Sequence, residues 1–549
     1  MHSETPRPGN GRIFIWLPFL LSAVLAVGIL TGMRLQSAAP PLVINGEPGA
    51  DPSAPAGYGK LEELLRYVEA KYVDPVDREK LVDEAIESIL QQLDPHSSYI
   101  PSDQVEIVEE HMEGSFSGIG VEFLMMEDTL TVIAPLGGGP AEKAGIMAGD
   151  KIIGVGDSII AGKKLVNKDI TSLLRGEIGT KVQLLIKRGS GKPFKVSVVR
   201  DKIPMHSMDA ALMLTEKTGY IRLNRFSATT HNEFMKALEK LHTKQGLEHL
   251  VIDLRQNPGG YLQQAINILS QLFPAKGVPL VHTQGRAVSR SDYETAGRVL
   301  FPVKEIVVLI DEGSASASEI LAGALQDQDR AAIVGRRSFG KGLVQEQYEL
   351  RDGSALRLTV ARYYTPSGRS IQKPYDNLSD YDHETEDRLE SGELTAATAA
   401  LPEDSVKYYT SKGRVVFGGG GITPDYYVPL DTALLNDYYL RLRPHLQSFV
   451  FNYSQKNKTQ FEGLKLKEFK NTFTVKDQII NDFIAYTAGK GVAKEAQQLP
   501  LIMPELRRQL KAQLARTLFQ DEGFFAIMTA EDPMVKKALS VIEGKQAQR

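Results

Sequence analysis

The sequence predicts an α/β multidomain chain, and three observations carry that expectation. Beyond Ile203, apolar cores of strand length in "GYIRLNRFS", "HLVIDLRQNPGG", "EIVVLIDEG" and "AAIVG" alternate with helical sequence. Buried strands joined through helices read this way. Residues 114–202 instead hold short alternating strands punctuated by glycine, around one short helix near "NKDITSLLRG". At 549 residues the chain exceeds what one hydrophobic core serves.

Composition excludes several function classes. The 64 basic and 68 acidic residues leave a net charge of −4, too even for a nucleic-acid or polyanion binder. With no cysteine, disulfides, thiolate zinc sites and cysteine nucleophiles are all ruled out.

Residues 1–12 precede an uncharged run of 21 residues, Ile13 to Met33. As helix it would span about 31 Å, roughly a bilayer's hydrocarbon. Arg7 and Arg12 before it favour a cytoplasmic N-terminus, so 13–33 is expected to be a transmembrane signal anchor with the remainder exported. A signal peptide cut near "QSAAP" is the alternative. Residues 34–58, rich in Pro, Gly and Ala, form a linker.

Two amphipathic helices are expected within the segment 59–113. Leu61, Leu64, Leu65 and Val68 fall on one stripe, and Leu81, Ala85, Ile89 and Leu93 on another. "LDPHSSYIP" ends the pattern. Its His96 reads as a capping or turn residue, since no titratable partner sits beside it in sequence.

The block 114–202 resembles a PDZ domain, with "SGIGVEF" similar to that family's carboxylate-binding loop and "GPAEKAGIMAGDKIIGVGD" to its central helix and turn. The resemblance implies that backbone N–H groups of Ser117, Gly118, Ile119, Gly120 and Val121 cradle a peptide's terminal carboxylate while the peptide adds a strand to the sheet. Arg175 in "SLLRG" reads as a solvated helix-end cation, with a charged contact to the core as the alternative.

In the α/β region, "DEGSASASEILAGALQD" (311–327) sets serines at 314, 316 and 318. Ser316 with Glu319 is S-x-x-E, a capping box for a helix over 316–327 that needs no catalysis. A nucleophilic serine requires a base, and no G-x-S-x-G elbow or histidine partnership is present. A lysine serves only if burial lowers its pKa. "GRRSFGKGLVQEQY" (335–348) supplies Lys341 between two glycines, where backbones approach closely.

These motifs, with "DLRQNPGG" ahead and "YYTPSGRSIQ" and "GGGGITPD" behind, resemble the carboxy-terminal processing peptidases, or tail-specific proteases, over roughly residues 60–430. The resemblance implies a crotonase-like α/β protease core over 203–430, a PDZ domain before it or inserted in it, an N-terminal helical segment, and a C-terminal helical extension over 431–549. It implies a Ser-Lys dyad with the lysine 25 residues after the serine and a glutamine four further on, which selects Ser316, Lys341 and Gln345. Ser316 would attack, Lys341 would act as base and then acid, and Gln345 would orient the lysine. Oxyanion donors would be the N–H of Ala317 and one from Gly259 or Gly260. No metal or other cofactor is implied. The implied partners are proteins with exposed apolar C-termini, and an adaptor protein and a homo-oligomer are the further candidates. The implied location is the bacterial inner membrane, single-pass, with catalysis on the periplasmic side.

Two rival readings use the same residues. "SFGK", "SIQK" and "KTG" are similar to penicillin-binding protein motifs, but their order is reversed and glycine or proline breaks the required helix. A catalytically inactive PDZ scaffold on a protease-like core is the other; retention of every dyad residue argues against it. The acidic stretch 375–405 reads as an inserted loop or partly helical excursion. In the extension, Leu506, Leu510 and Leu514 mark an amphipathic helix serving dimerisation, gating or simple packing.

Overall fold

The computed structural model describes residues 59–395 and 406–547. Two compact units divide the chain, Met1–Val82 and Asp83–Arg549. In the first, Lys60–Lys71 is helical as its stripe predicts, with no residue buried.

The second unit is organised around a six-stranded sheet. Its strands run in the order Met208–Met213, Thr218–Leu223, His249–Asp253, Ile306–Ile310, Ala332–Gly335 and Tyr426–Tyr427. Only the first pair is antiparallel. The four inner strands are the apolar runs of the sequence, and alternation along them sorts side chains to two faces. Ile221, Ile252, Val308 and Ile333 pack among residues of the helices Thr230–Glu239, Leu262–Leu272 and Ala317–Asp327. Tyr220, Val251, Val307, Leu309 and Val334 pack with Val535, Ala538, Val541 and Ile542 of the last helix, Pro533–Ala547.

That last helix is therefore a layer packed on the six-stranded sheet, and the boundary drawn at 431 does not coincide with a packing boundary. Asp532 fixes its start, accepting the Met534 N–H at 2.8 Å and the Arg255 guanidinium at 2.7 Å. Much of the rest of the extension forms its own apolar cluster, in which Leu506, Leu510 and Leu514 are buried as their spacing predicts.

A five-stranded antiparallel sheet lies beside this core. Ala355–Tyr364 pairs with Ser98–Ile100, Lys276–Gln284 and Leu343–Glu349, and Ser291–Ala296 completes the edge. The block 114–202 forms a separate sheet in the order Val121–Met126, Thr129–Pro135, Lys151–Val155, Lys181–Lys187 and Phe194–Val199, with Asn167–Leu174 as its short helix. Val121–Met126 is an edge strand paired on one side only.

The expected membrane location is corrected. The run 13–33 lies outside the described residues, and among the described residues no helix is long and apolar enough to cross a membrane. The longest helical segment, Leu499–Glu531, is kinked at Phe519 and Gln520, carries charged residues along its length and buries Leu506, Leu510 and Leu514 against protein.

Candidate active site

The three alternate serines are separated by their surroundings. Ser314 Oγ donates to the Leu254 carbonyl at 2.8 Å, and Ser318 Oγ to the Asn257 carbonyl at 2.9 Å, both fully buried. Ser316 instead lines a cavity of about 1040 Å³. Its backbone sits at φ 54° and ψ −115°, a region that residues with a Cβ rarely enter, immediately before the helix Ala317–Asp327. Strain of this kind is held only where surrounding structure over-determines it.

Glu319 supplies that constraint. Its carboxylate accepts the Ser316 N–H at 2.8 Å, the return half of the expected capping box. The same oxygen accepts the Lys341 N–H at 2.8 Å, while the other accepts the Gly340 N–H at 2.7 Å and the Ser338 hydroxyl at 2.6 Å. Tyr363 complements it with a hydroxyl directed at the carbonyls of both Ser316, at 3.2 Å, and Lys341. One buried carboxylate and one buried phenol thus bind the backbones of two residues 25 apart in sequence. Burial raises the Glu319 pKa to about 7, against the four hydrogen bonds that lower it.

Lys341 and Gln345 line the same cavity as Ser316. Burial lowers the pKa of the Lys341 amine, the Arg357 charge lowers it further, and Glu319 and Asp94 oppose them. Among the described residues no hydrogen bond joins Lys341 Nζ to Ser316 Oγ or to Gln345. The Gln345 amide donates instead to Thr359 Oγ1 at 3.2 Å.

The two glycines proposed for oxyanion binding differ. Gly259 donates its N–H to Asn257 Oδ1 at 2.9 Å, whereas the N–H groups of Gly260 and Ala317 have no acceptor among the described residues. Both glycines are required at positive φ, because a Cβ on Gly259 would lie 2.7 Å from the Ala315 carbonyl oxygen and one on Gly260 2.2 Å from that of Phe226.

His96 is more than a turn residue. Its Nε2 lies 2.7 Å from the Tyr381 hydroxyl, and burial together with the Lys341 charge lowers its pKa to about 4. Tyr381 belongs to the helix Leu378–Glu390 within the stretch 375–405, of which 396–405 lie outside the described residues. That helix is packed rather than a free loop. Arg388 donates to the Arg337 carbonyl at 2.8 Å, and Arg337 pairs with Glu393 at 2.9 Å and Glu384 at 3.1 Å. These contacts brace the segment that carries Lys341. Sequence spacing had no means of finding them, because the partners lie 47 to 56 residues apart.

In the block 114–202, Ser117 lies in a strand, and its N–H is taken by the Glu110 carboxylate at 2.7 Å. It therefore drops out as a carboxylate donor. Gly118 ends that strand and Val121 begins the edge strand, while Ile119 and Gly120 form the turn and leave their N–H groups without acceptors among the described residues. Arg175 is not a solvated cation: it pairs with Glu110 at 2.5 Å and lies 5.0 Å from the Phe116 ring centre.

Comparison with known proteins gives this arrangement its class. Residues 217–377 match the model of peptidase family S41, and residues 117–199 that of the PDZ domain; 438–520 match a family of unknown function. The molecule is thus a serine-type peptidase carrying a PDZ domain. A carboxy-terminal-processing protease of Bartonella bacilliformis is 40% identical over 317 residues, covering 56% of this chain and 71% of that protein. Carboxy-terminal processing protease CtpB of Bacillus subtilis is 36% identical over 358 residues, covering 63% and 72%. A solved photosystem II D1 C-terminal processing protease is 32% identical, covering 57% of this chain and 84% of that one, with a TM-score of 0.33. The chain belongs to the carboxy-terminal processing proteases of peptidase family S41.

Proposed function

We propose that the chain cleaves protein tails with Ser316 as nucleophile and Lys341 as its proton acceptor. The observation that carries this reading is the shared clamp: Glu319 takes the N–H groups of both residues and Tyr363 reaches both carbonyls, beside one cavity. Ser316 Oγ attacks the scissile carbonyl carbon and its proton passes to Lys341 Nζ. The N–H groups of Ala317 and Gly260 donate hydrogen bonds to the oxyanion. As the tetrahedral centre collapses, the C–N bond breaks and the lysine ammonium protonates the leaving amine. Water then enters and gives a proton to Lys341 as its oxygen attacks the acyl carbon; when the bond from that carbon to Ser316 Oγ breaks, the Lys341 ammonium returns the proton to Oγ and the acid is released.

The PDZ turn at Ile119 and Gly120, beside an open strand edge, supports recognition of a free, apolar C-terminus. Residues of one chain supply every group in this reading, so neither an adaptor nor a second copy enters it. The test is trapping. Incubation with an activated ester should add the acyl mass to the peptide containing Ser316 in the wild type, and not in Ser316→Ala. Acylation at another residue, or turnover by Ser316→Ala, would overturn the assignment.

A further inference from the structure

The loop Asp94–Ser97, part of "LDPHSSYIP" and given no role in the proposed chemistry, faces the proposed base. The Asp94 carboxylate accepts four hydrogen bonds: the N–H of His96 at 2.8 Å, the N–H of Ser97 at 2.9 Å, Ser97 Oγ at 2.7 Å and Thr359 Oγ1 at 3.0 Å. Ser97 Oγ in turn accepts the Thr359 N–H at 3.1 Å, docking the loop on the strand Ala355–Tyr364. Burial works to raise the Asp94 pKa, but the bonds from Ser97, His96 and Thr359 outweigh it and hold the carboxyl below its usual value. Asp94 is therefore an ionised group that only accepts.

That polarity propagates. A threonine hydroxyl has one proton, and Thr359 gives it to Asp94, so towards Gln345 it can only accept. The Gln345 group facing Thr359 must then be the NH₂, which is the contact at 3.2 Å. Gln345 and Thr359 are directly opposite in adjacent strands, next to a register shift between Val344 and Gln345. The amide's carbonyl oxygen is the end left for the cavity.

We propose that Asp94, acting through Thr359, is a positioning element that fixes the Gln345 amide with its carbonyl turned to receive the Lys341 ammonium. The proposal rests on the dyad reading. It completes a line of donors from Lys341 through Gln345 and Thr359 to a buried anion, so the ammonium formed when Ser316 loses its proton meets an acceptor of fixed orientation. Neither Asp94 nor Thr359 lines the cavity, which separates their effect from substrate contact. The groups that face the Lys341 amine are Arg357, Glu319, Asp94 and the neutral His96.

The experiment uses the full chain and a quenched-fluorescence peptide with an apolar free C-terminus. Thr359→Val should lower kcat by about tenfold to a hundredfold with KM unchanged and the acid limb of the pH profile in place. Thr359→Ser should restore most of the loss. On a Gln345→Met background, Thr359→Val should cost nothing further, because it acts through that amide. Asp94→Asn should lower kcat and also move the acid limb to lower pH, since the anion that favours the ammonium is gone. Wild-type kcat in Thr359→Val, or an equal further loss on the Gln345→Met background, would overturn the proposal. Should Thr359→Val not fold, Asp94→Asn on both backgrounds makes the same decision from kcat read on the pH plateau, where its direct charge effect on Lys341 drops out. Lys341→Ala is run in parallel: activity there removes the dyad reading itself, whereas inactivity there with an unaffected Thr359→Val removes only the positioning role.

Discussion

Among the described residues, the core and the PDZ domain each leave a pair of N–H groups without an acceptor, which the proposed reading assigns to a negatively charged oxygen, and they do so by different means. In the core, Gly260 and Ala317 are held by backbone packed so tightly that a Cβ on Gly260 would strike the Phe226 carbonyl, next to a serine at positive φ and a carboxylate with four donors. In the PDZ domain, Ile119 and Gly120 turn between two strands beside an open strand edge, held by the buried Ile119 side chain and by the N–H groups of Ala141 and Leu136, which donate to the carbonyls of Ile119 and Gly120 at 2.9 and 3.0 Å. An oxyanion exists only in the tetrahedral intermediate and the transition states on either side of it, so its donors must be fixed beforehand. A terminal carboxylate is a permanent charge on an incoming strand, and an open edge suffices to bind it.

The largest effects should come from the reacting groups of the core. Lys341→Arg keeps the charge but cannot accept a proton, so turnover should fall by at least about 10³-fold, as in Lys341→Ala. Equal activity in the arginine variant would mean that charge alone matters. Ser316→Gly should be just as inactive, yet more resistant to thermal unfolding than Ser316→Ala by about 1 kcal/mol, because glycine tolerates the positive φ. If the two variants melt together, the strain is not stored at this residue.

Next in size is the clamp. Glu319→Gln presents an amide NH₂ to a site filled with four donors, each mismatch costing about 1–3 kcal/mol. Peptidase activity should drop by about a hundredfold, with lowered stability, while binding of a free-acid peptide to the PDZ domain stays unchanged. Loss of both together would show that the two oxygen-binding sites are not independent.

The unequal legibility of these features has a physical cause. Strands of the core sheet announce themselves because four consecutive apolar residues have one stable environment, and Ser316-x-x-Glu319 was readable as a cap because its partners are three residues apart. Asp94, Thr359 and Tyr363 were not, since each acts across a tertiary contact that leaves no spacing in the sequence. His96 is the turn residue that the sequence suggests, but its contact with Tyr381 went unseen for the same reason, the two lying 285 residues apart. The last helix looked like an appendage because its apolar residues, Val535, Ala538, Val541 and Ile542, name no partner until the uncovered sheet face appears.

A milder test uses pH. Burial and Arg357 hold the Lys341 pKa below its ordinary 10.5, and only the neutral amine can take the serine proton. Activity should therefore rise with pH through that lowered pKa. Removing the Arg357 charge in Arg357→Met should move this limb upward, since a repelling cation is gone. A limb that stays in place would mean that burial alone sets the base.

The smallest effect belongs to the PDZ turn, where amidation of one peptide's C-terminus removes the charge but leaves the strand and side chains intact. Binding through Ile119 and Gly120 then loses a charge-assisted contact at a solvent-accessible loop, about tenfold in KM, with kcat unchanged because Ser316 and Lys341 are untouched. The same comparison in a chain lacking residues 114–202 should show no preference between acid and amide. The discriminating outcome is which constant moves. A change in kcat for the intact chain would mean that the PDZ domain alters the core, through contacts such as Arg175 with Glu110, whose neighbours Val108, Glu109 and Met112 line the catalytic cavity. Equal cleavage of acid and amide by the intact chain would remove the carboxylate from the recognition altogether and leave the turn at 119–120 as a hairpin feature, while every prediction for the core would stand.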